Sequence, residues 1–145
     1  MKRFFISVGI VFAVLSVLVL SSCSRTETFS FPNTAQEVKI TPYGSDEMTF
    51  SYTDSAKTER FLTFLGSLEA EKTDDSPENY TGITVYGITV LSDGSELQCA
   101  FYGNAFFRYG DGEWLSVSSE KGEEFMKLLK DTEPDIPALR PLFPE

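Results

Sequence analysis

Four short strand-like segments separated by tight turns limit the possible folds of this chain more than any other feature. The segments are rich in β-branched, apolar and aromatic side chains, and they comprise residues 82–91, 96–102, 105–109 and 114–117. The turns between them consist of residue types that favour sharp reversals: Ser92-Asp93-Gly94-Ser95, Gly103-Asn104 and Gly110-Asp111-Gly112-Glu113. Runs of this length joined by such short loops predict an antiparallel meander of four strands.

Further strands and helices are predicted on either side of the meander. Alternating apolar residues predict strands, and apolar residues at helical spacing predict helices. The predicted strands are 37–43 and 48–52, and the predicted helices are 56–71 and 120–130, the second capped by Ser118 or Ser119. This order predicts an α+β domain. Its antiparallel sheet would contain the four-strand meander plus one or two N-terminal strands, with two helices packed on one face.

The loop lengths also predict which side chains share a face of the sheet, because side chains alternate along a strand. A four-residue loop at 92–95 pairs Leu91 with Glu96, and a two-residue loop at Gly103-Asn104 pairs Phe101 with Phe106. This register places Phe106 and Arg108 on the face that the helices cover. The other residues predicted for that face are Tyr86, Ile88, Val90, Leu97, Cys99, Phe101, Leu115 and Val117.

The opposite face is aromatic at one end, and we interpret this end as a possible binding face. Its predicted residues are Tyr102, Phe107, Tyr109 and Trp114. A contiguous exposed aromatic patch often marks a contact site, and the small residues Gly87, Ala100 and Ser116 predict a shallow trough beside Phe107. Two alternatives stay open: aromatic pairs stabilise sheets without any ligand, and other segments of the chain could cover this face. A register slip of one residue would exchange the two faces.

A hydrophobic segment near the start of the chain has the layout of a secretory signal peptide. Lys2 and Arg3 precede an apolar run from Phe4 to Leu20. The run ends in Leu20-Ser21-Ser22-Cys23, which resembles the lipobox of a bacterial lipoprotein. The resemblance implies a palmitate-bearing diacylglyceryl group on the Cys23 sulfur and cleavage before Cys23. An uncleaved membrane-spanning anchor and an ordinary secreted protein are the alternatives.

The resemblance and the composition together divide the chain into four parts. The parts are a signal peptide at 1–22, the lipidated Cys23 with a polar tether at 23–36, the α+β domain at 37–131 and a proline-rich strap at 132–145. The expected location is the extracytoplasmic side of the cell membrane, to which the lipid on Cys23 would anchor the domain.

Charge and residue content exclude several classes of function. Without Lys2 and Arg3, 10 basic residues face 22 acidic ones, a net charge of −12, so nucleic acid is not an expected partner. The chain has no histidine, which removes the commonest general base and zinc ligand. With Cys23 lipidated, Cys99 has no disulfide partner in the chain. No catalytic residues, metal ligands or cofactor motif are predicted.

These observations favour a non-enzymatic binding or accessory module of the cell envelope. The membrane, through the lipid anchor, and an envelope protein or peptide are the expected partners. The alternative is a carboxylate-dependent hydrolase of envelope glycans, because a chain with 22 acidic residues has many possible carboxylate pairs.

Overall fold

The computed structural model describes residues 26–43 and 48–135. The signal peptide, the lipobox, residues 44–47 between the first two predicted strands, and residues 136–145 of the predicted strap lie outside these ranges. Within them, the chain forms one antiparallel sheet and two helices, which confirms the predicted α+β class.

The sheet has eight strands, against the five or six that the pattern predicted. In chain order they are β1 (Thr26–Thr28), β2 (Glu37–Pro42), β3 (Phe50–Tyr52), β4 (Glu69–Glu71), β5 (Val85–Ser92), β6 (Ser95–Tyr102), β7 (Phe106–Tyr109) and β8 (Leu115–Val117). Their order across the sheet is β1-β4-β8-β7-β6-β5-β2-β3. The helices are α1 (Ser55–Gly66) and α2 (Ser119–Asp131), and a short 3₁₀ turn covers Pro77–Asn79. The meander therefore lies in the middle of the sheet.

The two strands that the pattern missed lie at one edge. Helix α1 ends at Gly66 instead of continuing to residue 71, and the chain pairs Glu69–Glu71 with β8. Strand β1 then pairs with β4, with Thr26 opposite Glu71. Part of the stretch interpreted as a tether thus belongs to the sheet. Strand β1 (Thr-Glu-Thr) has no apolar residue and β4 (Glu-Ala-Glu) has only Ala70, so neither shows an apolar alternation.

Both helices pack on the same face of the sheet and form one apolar core with it. The Phe125 ring of α2 stacks on Phe101 of β6 with centroids 4.3 Å apart, and lies 5.8 Å from Phe64 of α1. Each such aromatic pair contributes about 0.5–1.5 kcal/mol beyond the burial of apolar area. The predicted core positions of β5, β6 and β8 are confirmed. The buried core residues of these strands are Tyr86, Ile88, Val90, Cys99, Phe101, Leu115 and Val117, and Leu97 packs against them.

The loop between β6 and β7 differs from the prediction by one residue. It has three residues, 103–105, so Phe101 lies opposite Phe107 and Tyr102 opposite Phe106. A two-residue type I′ turn needs positive φ at both central residues. Gly103 has a φ of +58°, but Asn104 is not in that region, and the amide of Ala105 closes the turn onto the Tyr102 carbonyl.

This slip exchanges the faces of β7, and the predicted placement of four residues there is wrong. Phe107 and Tyr109 lie on the helix side, whereas Phe106 and Arg108 lie on the opposite side. The register of the β5–β6 hairpin, in contrast, is confirmed, with Leu91 opposite Glu96.

The start of the predicted strap is fixed beside the first turn of α1. The Asp135 carboxylate accepts hydrogen bonds from the amides of Thr53 and Asp54, and from the Lys57 ammonium. The Asp135 amide donates to the carbonyl of Ser51 in β3. The bond from Lys57, followed by the two amide bonds, holds the pKa of Asp135 well below its usual range.

Candidate binding face

The face of the sheet opposite the helices, called the open face below, contains a row of paired residues that crosses four strands. Thr41 of β2 lies opposite Gly87 of β5, Gly87 opposite Ala100 of β6, and Ala100 opposite Arg108 of β7. Because Gly87 and Ala100 have little or no side chain, this row forms a depression between its two ends.

The depression, called the trough below, has a volume of about 200 Å³. Its floor contains Gly87 and Ala100, and Arg108 lies at one side. Tyr43, which follows β2, is at the other side; a β-carbon on Gly87 would lie 3.5 Å from the Tyr43 ring. Tyr43 is 61% exposed, the largest value among the big apolar side chains of the described residues. Polar groups from Thr89, Gln98 and Asp111 also line the trough.

The guanidinium of Arg108 lies over the indole of Trp114, with the central carbon 4.7 Å from the ring centroid. This cation–π contact favours the position of the guanidinium over the ring. Within the ranges that the structure describes, Arg108 forms no salt bridge, and its buried Nε–H has no acceptor. The trough therefore contains a positioned cation whose hydrogen-bonding capacity is unused.

An aromatic cluster borders the trough on the same face. Its members are Tyr80, Tyr102, Phe106 and Trp114. Tyr102 contacts Phe106 and Trp114 with centroids 6.3 Å and 6.1 Å apart, and Tyr80 lies 5.6 Å from Phe106. The Tyr102 hydroxyl donates to the Tyr80 carbonyl at 2.7 Å. These contacts join the loop before β5 to the meander.

That loop is organised around Asp75. Its carboxylate accepts hydrogen bonds from the Tyr80 hydroxyl at 2.5 Å, from the Asn79 side chain at 3.0 Å and from the Ser76 amide at 2.9 Å. The hydrogen bonds from Tyr80 and Asn79 lower the pKa of Asp75. The hydrogen bond between Tyr80 and Asp75 also raises the pKa of the Tyr80 hydroxyl. The Tyr80 ring is thus held over Phe106 by a set of local hydrogen bonds.

Two of the four residues predicted for the binding face lie on the open face, and two do not. Tyr102 and Trp114 are there, half-buried. Phe107 is fully buried against Phe101, 5.1 Å between centroids, and against Phe29 at 4.9 Å. Tyr109 stacks on Phe29, and its hydroxyl donates to the Ser30 carbonyl at 2.8 Å. The segment that follows β1 therefore covers both of these rings.

Sequence reasoning missed Phe106 and Arg108 because of the register slip, and it missed Tyr43 and Tyr80 because they lie outside the meander. The alternation within β7 was the available signal, but it required the correct loop length at 103–105. For Tyr80, the spacing of Asp75, Ser76 and Asn79 was a signal of a structured loop.

The remaining candidate groups show little capacity for chemistry. Cys99 is 4% exposed, and burial raises the pKa of its thiol to about 12, which disfavours the reactive thiolate. No group of three or more potential metal ligands occurs in residues 26–43 and 48–135. The pKa values of Asp75 and Asp135 are shifted downward, whereas a general acid requires an upward shift.

Comparisons with known proteins found no matching family model, no matching curated protein and no matching solved structure. None of the helices in the described ranges combines the length and apolar character needed to span a membrane.

Proposed function

We propose that this protein is a lipid-anchored module on the extracytoplasmic side of the cell membrane, and that it binds an envelope protein or peptide through the open face. The anchor rests on the Leu20-Ser21-Ser22-Cys23 sequence and the hydrophobic run before it. The module has a binding or accessory role and no catalytic one.

One observation supports the choice of face. Within the described residues, three large apolar side chains are exposed, namely Tyr43, Tyr80 and Ile83. Tyr43 lies over Gly87, Tyr80 packs on Phe106, and Ile83 lies against Gly103 in the adjoining hairpin. All three belong to the open face or its rim. Apolar side chains gathered on one face, next to an unpaired cation, are typical of a contact surface.

The fold also supports a role close to the membrane. With Cys23 lipidated, only Ser24 and Arg25 separate the anchor from β1. Three residue steps extend at most about 10 Å, so the β1 edge would lie next to the bilayer. The net charge of −12 expected for the processed chain opposes contact with anionic headgroups. The open face would then remain available to a partner beside the membrane.

Lipid labelling tests the anchor. Cells expressing the protein with an alkyne-tagged palmitate should give a labelled band in the membrane fraction, and Cys23→Ser should abolish the label. Cys99→Ser is the matched control and should keep it, because Cys99 is a buried thiol. A label that survives Cys23→Ser would contradict the anchor.

Cross-linked affinity capture from envelopes tests the face. The Tyr43→Ser, Trp114→Ala double variant should lose a partner that the native protein retains. An Arg60→Ala, Thr63→Ala variant, changed at exposed positions of α1, should capture the partner normally. Equal capture by all three proteins would contradict binding at the open face.

A further inference from the structure

Arg108 is the cation that lines the trough, and no carboxylate of the described residues pairs with it. Lys39, Lys57, Lys72 and Lys121 each have a carboxylate partner. The exposed helix residues Arg60, Lys127 and Lys130 have none among the described residues, but unlike them Arg108 is half-buried. Arg108 has none among the described residues, although acidic residues outnumber basic ones by 22 to 12 in this chain. Its Nε–H is buried without an acceptor among the described residues, so the N–H groups of the two terminal nitrogens are the donors that a ligand entering the trough can meet.

The geometry around Arg108 favours a planar acceptor. The contact with Trp114 holds the guanidinium beside the trough, and the planar guanidinium suits bidentate hydrogen bonding to a carboxylate. Asp111 lines the same trough but does not pair with Arg108. No carboxylate of the described residues occupies this position, so it is open to a carboxylate from another molecule.

The size of the trough limits what can enter. Its volume of about 200 Å³ is below the roughly 300–1,000 Å³ of sites that hold whole small molecules. One side chain of an extended peptide fits this space, while Tyr43 on one side and Trp114 on the other offer rings for the residues that flank it. The small residues Gly87 and Ala100 allow the incoming side chain to approach the sheet closely.

We propose that the ligand of the open face is an extended peptide segment of a partner protein, and that one of its aspartate or glutamate side chains enters the trough and pairs with Arg108. This inference rests on the proposed function, because it names the chemistry that the open face recognises. The pairing is non-covalent, and Trp114 acts by positioning the guanidinium.

Trp114 provides a direct readout because it is the only tryptophan in the chain. The full-length protein, in micelles of an uncharged detergent, is titrated with N-acetyl-Ala-Glu-Ala-amide while the tryptophan emission is recorded. The glutamine peptide, N-acetyl-Ala-Gln-Ala-amide, is the matched probe without a charge. We expect a saturable change with the glutamate peptide and binding about tenfold weaker, or undetectable, with the glutamine peptide.

Three variants test the assignment to Arg108. Arg108→Lys keeps the charge but loses the planar donor set, so it should weaken binding of the glutamate peptide about tenfold. Asp111→Asn removes the acidic neighbour and should strengthen binding several-fold. Arg60→Lys, in exposed α1, should leave binding unchanged.

Several results would overturn the inference. These are an equal response to both peptides, no saturable response to either up to about 10 mM, or native affinity in Arg108→Lys. Tighter binding of glucuronate than of the glutamate peptide would assign the trough to an acidic sugar. Partner capture that survives Arg108→Lys but fails in the Tyr43→Ser, Trp114→Ala variant would overturn this inference and leave the proposed function standing.

Discussion

On the helix side of strands β6 and β7, Phe101 and Phe107 face each other with centroids 5.1 Å apart, beneath Phe125. On the other side of the same two strands, Ala100 and Arg108 face each other, and the guanidinium lies over Trp114 without a carboxylate partner in the described ranges. The first arrangement maximises apolar contact, and the second leaves space and an unused cation. Substitutions on the two sides should therefore have separable effects, on stability for one and on binding for the other.

The largest loss of stability is expected at the centre of the helix side. Phe125→Ala removes a ring that stacks on Phe101 at 4.3 Å and contacts Phe64 and Tyr86. The free energy of unfolding, measured by urea denaturation, should fall by about 3–5 kcal/mol. Met126→Ala, the partly buried neighbour in α2, should cost clearly less. Equal losses would contradict a core centred on Phe125.

The next effect concerns the contact between α2 and the β6–β7 hairpin. A β-carbon on Gly122 would lie 2.0 Å from the Asn104 carbonyl oxygen, so Gly122→Ala should destabilise the fold by about 1–3 kcal/mol. Gly66 at the end of α1 has nothing within 4 Å of that position. Gly66→Ala should leave stability unchanged or raise it by less than about 1 kcal/mol. A harmless Gly122→Ala would mean that the helix does not rest on the hairpin.

A smaller, pH-dependent effect is expected at the edge of the sheet. Asp135→Asn removes the charge that accepts bonds from Thr53, Asp54 and Lys57. Because the folded pKa of Asp135 is lowered, its contribution to stability is present above the unfolded pKa of about 3.9 and is lost as the pH falls toward the folded pKa.

The difference in melting temperature between native protein and Asp135→Asn should therefore be largest at neutral pH and shrink below about pH 4. Asp74→Asn, at an exposed loop position, should show no such difference. A constant difference for Asp135→Asn across this range would contradict the role of the ionised carboxylate.

The smallest effect on stability is expected in the trough. A β-carbon on Gly87 meets the Tyr43 ring at an ordinary 3.5 Å, so Gly87→Val should change the free energy of unfolding by only about 0.5 kcal/mol. The added methyl groups occupy the trough, and binding of N-acetyl-Ala-Glu-Ala-amide should be lost. Leu91→Val, on the same face of β5 but outside the lining of the trough, should keep binding. Full binding by Gly87→Val would place the ligand elsewhere.

Two hairpins show how far the sequence predicts this fold. At β5–β6, Asp93 and Gly94 adopt φ values of +48° and +76°, as a two-residue turn requires, and the predicted register is confirmed. At β6–β7, Gly103-Asn104 has similar local chemistry, but the loop takes a third residue and lies against Gly122 of α2. The third loop residue decides which face Arg108 occupies, and the tertiary contact beside it has no counterpart in local sequence rules.

The class, both helices and six of the eight strands could be predicted, because each of their segments contains at least two apolar residues at helical or strand spacing. Strands β1 and β4 could not, because each is defined by its partner more than by its own three residues. A trough was predicted from Gly87, Ala100 and Ser116 beside Phe107. The observed trough contains Gly87 and Ala100 but not Ser116, and Phe107 lies on the other face of the sheet. Tyr43, which follows β2, lies at the trough because β2 is the neighbour of β5, and only the order of the strands in the sheet reveals this.

The most direct test of the division between the two faces replaces one aromatic residue on each with the same side chain. Phe107→Leu and Trp114→Leu are compared by urea denaturation and by calorimetric titration with N-acetyl-Ala-Glu-Ala-amide. We predict that Phe107→Leu loses about 1–3 kcal/mol of stability and keeps the native affinity. Trp114→Leu should lose less stability and most of the binding. The reverse pattern, with Phe107 needed for binding and Trp114 for stability, would contradict the account.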